Sequence, residues 1–295
     1  MILLTGASGF IGKHLLKELI ASYGKENVVA LTSKPINDCN YLLHLNYAFG
    51  DSYFIESGIK NIDTIIHAGA FIPKSSRDGN NIKECNNNIR TTTRLTTSNL
   101  PDLKSFIFLS TIDVYAPDYP IVEDSRIDPV SLYGCSKSYC ENLVQAWASN
   151  ANINYQILRI GHVYGPGEEE YQKIIPITMK RLLLNKPIKL IGNGKALRSF
   201  IFITDVVEAI VRSLELKNNM GVINVVGQEQ VSIYDLLHRI IEVSKRTVEI
   251  GSVCSNAISR DLIFDNSKMK QLLWTPGIDL KEGLQKEWNY MSNLF

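Results

Sequence analysis

Three glycines at three-residue spacing, Gly6, Gly9 and Gly12, stand directly behind the short apolar run Ile2–Thr5 and restrict the fold more than any other feature. Ile2–Thr5 reads as a strand and Gly12–Tyr23 as a helix, so the glycines occupy a strand-to-helix turn. Gly6 permits the tight turn, Gly9 lets main-chain N–H groups approach an anion, and Gly12 allows the helix to pack closely on the strand. The N-terminus of the helix adds positive potential at the same place. Ser8, Phe10 and Ile11 complete this candidate phosphate-binding turn.

The rhythm that follows is one of short β-branched runs separated by helical stretches. Asn27–Leu31, a weak run near Tyr41–Leu45, then Asp63–Ala68, Lys104–Thr111 and Tyr155–Ile160 read as strands. Strands alternating with helices predict an α/β fold, a doubly wound parallel sheet of the Rossmann kind. After Ile160 the pattern changes, and a smaller C-terminal lobe is expected. The predicted boundaries are 1–160 for the core, with 200–225 returning to it, and 161–199 with 226–295 for the lobe. In that lobe Gly161–Tyr171 reads as an exposed loop and Glu168–Glu170 as a solvated run. Lys173–Asn185 and Asp205–Leu216 read as helices and Pro187–Ile191 as a strand. Ser232 caps a further helix, and a turn at Trp274–Pro276 precedes a short final one.

Charge and cysteine content narrow the partners. The 295 residues carry a net charge of +1 with no basic stripe, which argues against nucleic acid or an anionic membrane as a partner. No secretory segment and no bilayer-length apolar run are read in the sequence. Cys39, Cys85, Cys135, Cys140 and Cys254 are odd in number and form no C-x-x-C pair, so reduced thiols, a cytoplasmic location and no metal site are expected.

Two places carry chemistry. The second strand ends in Thr32-Ser33-Lys34, where an acidic residue would suit the ribose hydroxyls of NAD. Two hydroxyls and a lysine instead suit a 2′-phosphate, which favours NADP over NAD. Further on, Tyr133 and Lys137 lie one helical turn apart and share a face. A phenol ionises near ~10, and a neighbouring ammonium makes it a better acid/base group at neutral pH. Ser110 and Thr111 both place hydroxyls at the end of the preceding strand, where one is expected to bond a reacting oxygen.

Taken together, these residues resemble the extended branch of the short-chain dehydrogenase/reductase family, the nucleotide-sugar epimerases, dehydratases and ketoreductases. The resemblance covers nearly the whole chain. It runs through Gly6/Gly9/Gly12, His67-Ala68-Gly69-Ala70, Asn88, Ser110-Thr111, Tyr133/Lys137, Arg159, Val163-Tyr164-Gly165-Pro166, Arg198, Phe200, Asp205 and Leu273-Trp274-x-Pro276. It implies Thr111 as the hydroxyl on the reacting oxygen, Tyr133 as acid/base and Lys137 as its ribose-binding partner. It also implies that His67, Ala68, Gly69 and Asn88 line the dinucleotide, and that Arg198, with Arg260 as a second ligand, binds the diphosphate of a sugar nucleotide. A homodimer through the helices near Asn88–Leu100 and from Tyr133 onward is implied as well.

Departures from the family pattern guide the choice of reaction. Thr111 is followed by Ile112-Asp113, where the family's 4,6-dehydratases carry two acids; Ile112 cannot protonate a leaving hydroxyl. Asp113 and His162 are candidate substrate contacts, His162 also a candidate acid/base group. The expected activity is an NADP-dependent reductase of a nucleotide-linked 4-keto-6-deoxy sugar. The alternative is an NAD-dependent nucleotide-sugar 4-epimerase, and a third reading is a non-catalytic dinucleotide sensor.

Overall fold

The computed structural model describes residues 1–37, 39–44, 47–75, 77–116, 120–253 and 261–295. In chain order the elements are β1 (Ile2–Thr5), α1 (Phe10–Tyr23), β2 (Val28–Thr32), β3 (Asn40–Leu43), α2 (Tyr53–Glu56), β4 (Thr64–His67), α3 (Ile82–Thr96), β5 (Ser105–Thr111), α4 (Leu132–Ala151) and β6 (Asn154–Ile160). They continue with β7 (His162–Tyr164), α5 (Ile174–Leu183), β8 (Ile188–Ile191), β9 (Leu197–Phe202), α6 (Ile203–Ser213), β10 (Val222–Val225), β11 (Gln230–Ser232), α7 (Ile233–Ser244), β12 (Ile250–Val253), α8 (Ser267–Leu272) and α9 (Leu280–Ser292). The chain groups into two compact units.

The first unit holds a seven-stranded sheet in the order β10-β6-β5-β4-β1-β2-β3. Leu3 sits between Val29 and Ile65 in parallel register, and Ile107 pairs with Ile66 and Gln156 in the same sense. β1 and β2 are buried at every residue, as strands covered by helices on both faces must be. This is the Rossmann arrangement that the sequence predicts. Phe106, Phe108, Leu31, Ile65, Val144 and Ile157 form its core. Because the strands are parallel, the ends of β1, β2, β4 and β5 lie along one edge. Thr5, Thr32, His67 and Thr111 therefore share that edge, where ligands bind in such sheets.

Helix α3 is Thr-rich, a composition of low helix propensity. It forms because it buries one face, Cys85, Asn88, Thr91, Thr92, Leu95 and Thr96, and there Thr91 and Thr92 satisfy their hydroxyls on the carbonyls of Asn87 and Asn88 at 2.7 and 3.0 Å. Asn81 caps its start by accepting from Glu84 N at 3.2 Å.

The second unit contains a three-stranded sheet, β11-β9-β7, and a parallel pair, β12-β8. β7 lies inside the stretch expected to be a loop, Gly161–Tyr171. His162–Tyr164 become strand because Phe200–Phe202 lies alongside in parallel register, a partner invisible to local periodicity. Ser232 caps α7 as expected, accepting from Asp235 N at 3.0 Å. Asp205 accepts from Trp274 Nε1, Gly277 N and Ile278 N at 2.8–3.2 Å, so it holds the turn that leads into α9. That helix buries Leu280, Gly283, Leu284, Glu287 and Met291. A Cβ at Gly283 would overlap the Tyr164 hydroxyl, so only glycine lets α9 settle there. Of the predicted solvated run, Glu169 and Glu170 are exposed, but Glu168 is 1% exposed.

Among the described residues no helix is long and apolar enough to cross a membrane, and no cluster of metal-ligating side chains occurs. Cys39, Cys85, Cys135 and Cys140 are free thiols, and Cys254 lies outside the described residues.

Candidate active site

The glycine turn is built from two different demands. A Cβ on Gly6, whose φ is +71°, would lie 2.6 Å from Gly69 Cα, and one on Gly12 would overlap the Gly6 carbonyl. The chain's own packing therefore requires both glycines. Gly9 differs: its Cβ would meet only the Gly6 carbonyl, at 3.2 Å, and the residue is exposed. Glycine at this position leaves room for a ligand to approach the main chain. Gly9 makes no side-chain cap on α1, and the first turn holds no acidic residue, so the positive end of the helix is not neutralised there and suits an anion. Phe10 is buried and packs edge-on against His14, ring centroids 5.9 Å apart, so its ring is not offered to a ligand. These residues fit a dinucleotide's pyrophosphate.

Beneath the turn lies a chain of hydrogen bonds. Thr92 donates to the Asn88 carbonyl, so its oxygen accepts from His67 Nε2 at 3.1 Å. Thr5 then donates to His67 Nδ1 at 2.8 Å, and its oxygen accepts from Gly69 N at 2.8 Å. Burial, with the charge of Lys137 adding to it, holds the His67 imidazole well below its ordinary pKa, consistent with this neutral tautomer. Both ring nitrogens are thus taken, and His67 shapes the Ala68–Gly69 loop from below rather than presenting its ring to a ligand. Asn88 has a similar part: its side chain exchanges hydrogen bonds with the Phe71 main chain, 2.7 and 3.3 Å, and donates to Ser136 Oγ at 3.3 Å.

At the end of β2, Thr32 does not offer its hydroxyl. That group closes its own turn, donating to Lys34 O at 3.1 Å and accepting from Lys34 N at 3.3 Å. Ser33 and Lys34 are exposed.

Tyr133 and Lys137 sit in the first two turns of α4, whose start is capped by Ser131 accepting from Gly134 N at 3.1 Å. Gly134 is the residue whose role the sequence pattern leaves unread. A Cβ there would overlap the Asp113 carbonyl, so glycine lets the start of α4 press against the 3-10 turn Ile112–Val114 that follows Thr111. Both side chains are buried, Lys137 at 3% exposure. Lys137 Nζ donates to the Leu109 carbonyl at 2.6 Å and lies 4.1 Å from the Phe108 ring centroid. Burial pulls its pKa down to about 8, against the upward push of Cys140 and Glu141, so the amine stays largely charged at neutral pH.

The structure also separates the two hydroxyls at the end of β5. Ser110 donates to Glu141. Thr111 accepts from Asp113 N at 3.2 Å, which leaves its proton to donate. Thr111 is therefore the hydroxyl suited to polarise a bound oxygen. Asp113 is exposed on the adjoining turn, and Ile112 is buried, so no acid stands at that position.

In the second unit, His162 on β7 pairs across to Phe200 on β9, two residues beyond Arg198. Burial, with Arg198 and Lys173 adding to it, takes the His162 imidazole down to about 3, so it is neutral and does not serve as an acid near neutral pH. Arg198 is half-buried and donates to its neighbour's carbonyl, Leu197 O, at 2.7 Å. Arg260 lies outside the described residues.

Comparison with known proteins agrees with this geometry. The profile of the NAD dependent epimerase/dehydratase family matches residues 2–227. This chain belongs to that family. Among its epimerase/dehydratase relatives, an uncharacterized UDP-glucose epimerase of Bacillus subtilis is 30% identical, over 100% of this chain and 98% of that protein. The dTDP-4-dehydro-6-deoxyglucose reductase of Escherichia coli is also 30% identical, over 97% and 95%. The crystal structure of UDP-glucuronic acid 4-epimerase from Bacillus cereus in complex with NAD superposes with a TM-score of 0.85 at 28% identity, covering 99% of each chain. The protein is thus an NAD(P)-dependent enzyme of the extended short-chain dehydrogenase/reductase type, with nucleotide-sugar epimerases among its relatives.

Proposed function

We propose that this enzyme is a nucleotide-sugar 4-epimerase using NAD, with a UDP-linked hexose or hexuronic acid as substrate. The observation that carries the reading is the edge formed by Thr111, Tyr133 and Lys137 beside an uncapped glycine turn in a chain so similar to a 4-epimerase bound to NAD. Bound NAD supplies reversible hydride chemistry at C4. Tyr133 takes the proton of the C4 hydroxyl and later returns it. Lys137 keeps a positive charge near the phenol and bonds the nicotinamide ribose. Thr111 donates to the reacting oxygen. In the second unit, the Arg198 guanidinium suits a diphosphate and neutral His162 can hydrogen-bond a sugar hydroxyl.

Epimerisation is favoured over the reductase first expected. Thr32 is closed on its own turn, which weakens the case for a 2′-phosphate site, and the similar solved structure holds NAD. Dehydration lacks its acid at Ile112. Exposed Ile82 on α3 and Leu132 and Tyr139 on α4 support a homodimer through those helices, which sedimentation reading a single-chain mass would rule out.

Incubation with UDP-glucose and UDP-glucuronic acid tests the reaction by NMR. The expected result is interconversion of C4 epimers without net change in nicotinamide absorbance, and tighter binding of NAD than of NADP. Stoichiometric NADPH consumption with a 4-keto-6-deoxy sugar nucleotide would restore the reductase.

A further inference from the structure

Behind Lys137, one more turn along α4, lies Glu141, a carboxylate no step above uses. It is buried and accepts from three donors: Ser110 Oγ on β5, Arg159 Nε at 3.0 Å and Arg159 Nη2 at 2.7 Å, the last two from β6. Arg159 in turn lies over the Tyr115 ring, 4.5 Å from its centroid, on the far side of the turn that follows Thr111. Ser110 pairs with Arg159 in the β5–β6 register, so the carboxylate sits where both strands and the helix meet.

We propose that Glu141 is a positioning residue for the Thr111–Tyr133–Lys137 set, clamping the face of α4 to the last residues of β5. This inference rests on the acid/base roles proposed above. The clamp acts on both sides of the reacting group. Ser110 lies between Leu109, whose carbonyl receives Lys137 Nζ, and Thr111, whose hydroxyl donates to the substrate. Holding Ser110 therefore sets the height of both. On the helix, Lys137 and Glu141 are four residues apart and share a face, so the anion also stands behind the ammonium. Glu141, Cys140, the neutral His67 and the Phe108 ring are the groups that face Lys137 from α4, β4 and β5. A buried ion pair is weak evidence for stability by itself, because desolvation offsets its attraction. Its use here is geometric: three charge-assisted bonds fix an orientation that packing alone leaves loose.

The test uses the full-length enzyme with Glu141→Gln and, as a milder break, Ser110→Ala. Glu141→Gln is expected to lower kcat by roughly 10- to 100-fold with KM and NAD affinity within about threefold. Ser110→Ala is expected to lower kcat by about three- to tenfold in the folded fraction, with a smaller loss of thermal stability than Glu141→Gln because two of the three donors remain. The lysine titration, followed by NMR with nitrogen-labelled lysine and assigned with Lys137→Arg, needs no substrate. Losing the anion should move it downward by at least ~0.5 pH unit, and the alkaline limb of kcat should move with it. A titration that stays in place, with any kcat loss matched by loss of folded protein, would overturn the clamp. Wild-type enzyme inert toward every sugar nucleotide would overturn the epimerase reading instead, and the titration would still decide this one.

Discussion

Two buried carboxylate sites, one in each unit, are treated in opposite ways. In the first, Glu141 is matched by the Arg159 guanidinium and a serine hydroxyl. Arg159 is pulled down by burial, yet hydrogen bonding and charge from Glu141 raise its pKa overall. In the second, Glu168 and Glu287 are 1% and 0% exposed, and among the described residues none of their four oxygens has a close, well-directed hydrogen-bond partner. Lys173, itself 40% exposed, lies 3.7 Å from Glu168. Burial raises Glu168 to about 7 despite Lys173, and burial with Glu168 and Glu169 raises Glu287 to about 8. A buried carboxylate held by a guanidinium keeps its partner close, whereas a pair of carboxylates facing one more distant lysine is pushed toward holding protons and makes its surroundings sensitive to pH. The tightly matched site lies beside the proposed chemistry, and the weakly matched one supports α9.

The largest effect expected from this contrast is at Tyr133. Tyr133→Phe should lower turnover by about 1,000-fold, within the range usual for a general acid/base, while NAD affinity and melting temperature barely change. Retained turnover would show that the first site is structural like the second.

Next comes Arg159→Met, which leaves Glu141 charged and alone. A loss of ~3–5 kcal/mol in unfolding free energy is expected by denaturant titration. Replacing Glu141 by Met as well should recover most of that stability without recovering kcat. Joint recovery of both would break the distinction between holding the fold and holding the site.

The smallest effect is at Glu287. Its pKa is raised on folding, so the stability it allows is complete below about pH 4.5 and is lost as pH rises toward about 8. The slope is at most ~1.4 kcal/mol per pH unit for one proton. Glu287→Gln should flatten this decline, with turnover unchanged. An undiminished slope in the variant would show that the carboxyl is not the titrating group.

Much of the first unit was legible in the chain. β1, α1 and α4 announce themselves through local rules: an apolar run, a glycine spacing, and a Tyr and Lys one turn apart. The short strands of the second unit were harder. β7 hides in a stretch rich in Gly, Pro and Glu and exists through its distant partner β9. Glu168 belongs to the same stretch, and charge alone marked it as solvated although it is buried. At the site, residue type left both Ser110 and Thr111 open and the family resemblance pointed to Thr111; the approach of Glu141 gives the physical reason, because it engages the Ser110 hydroxyl. The polar atoms of His67 and Asn88, expected to line a dinucleotide, bond protein groups.

What the sequence determined alone is whatever depends on neighbours within a turn or two: the strand–glycine–helix opening and the shared face of Tyr133 and Lys137. Tertiary structure decided which polar atoms are left over for chemistry. That choice depends on partners far apart in the chain, such as Glu141 with Arg159 or Thr5 with His67, and burial makes each such pairing decisive because a polar atom withdrawn from water must find another partner.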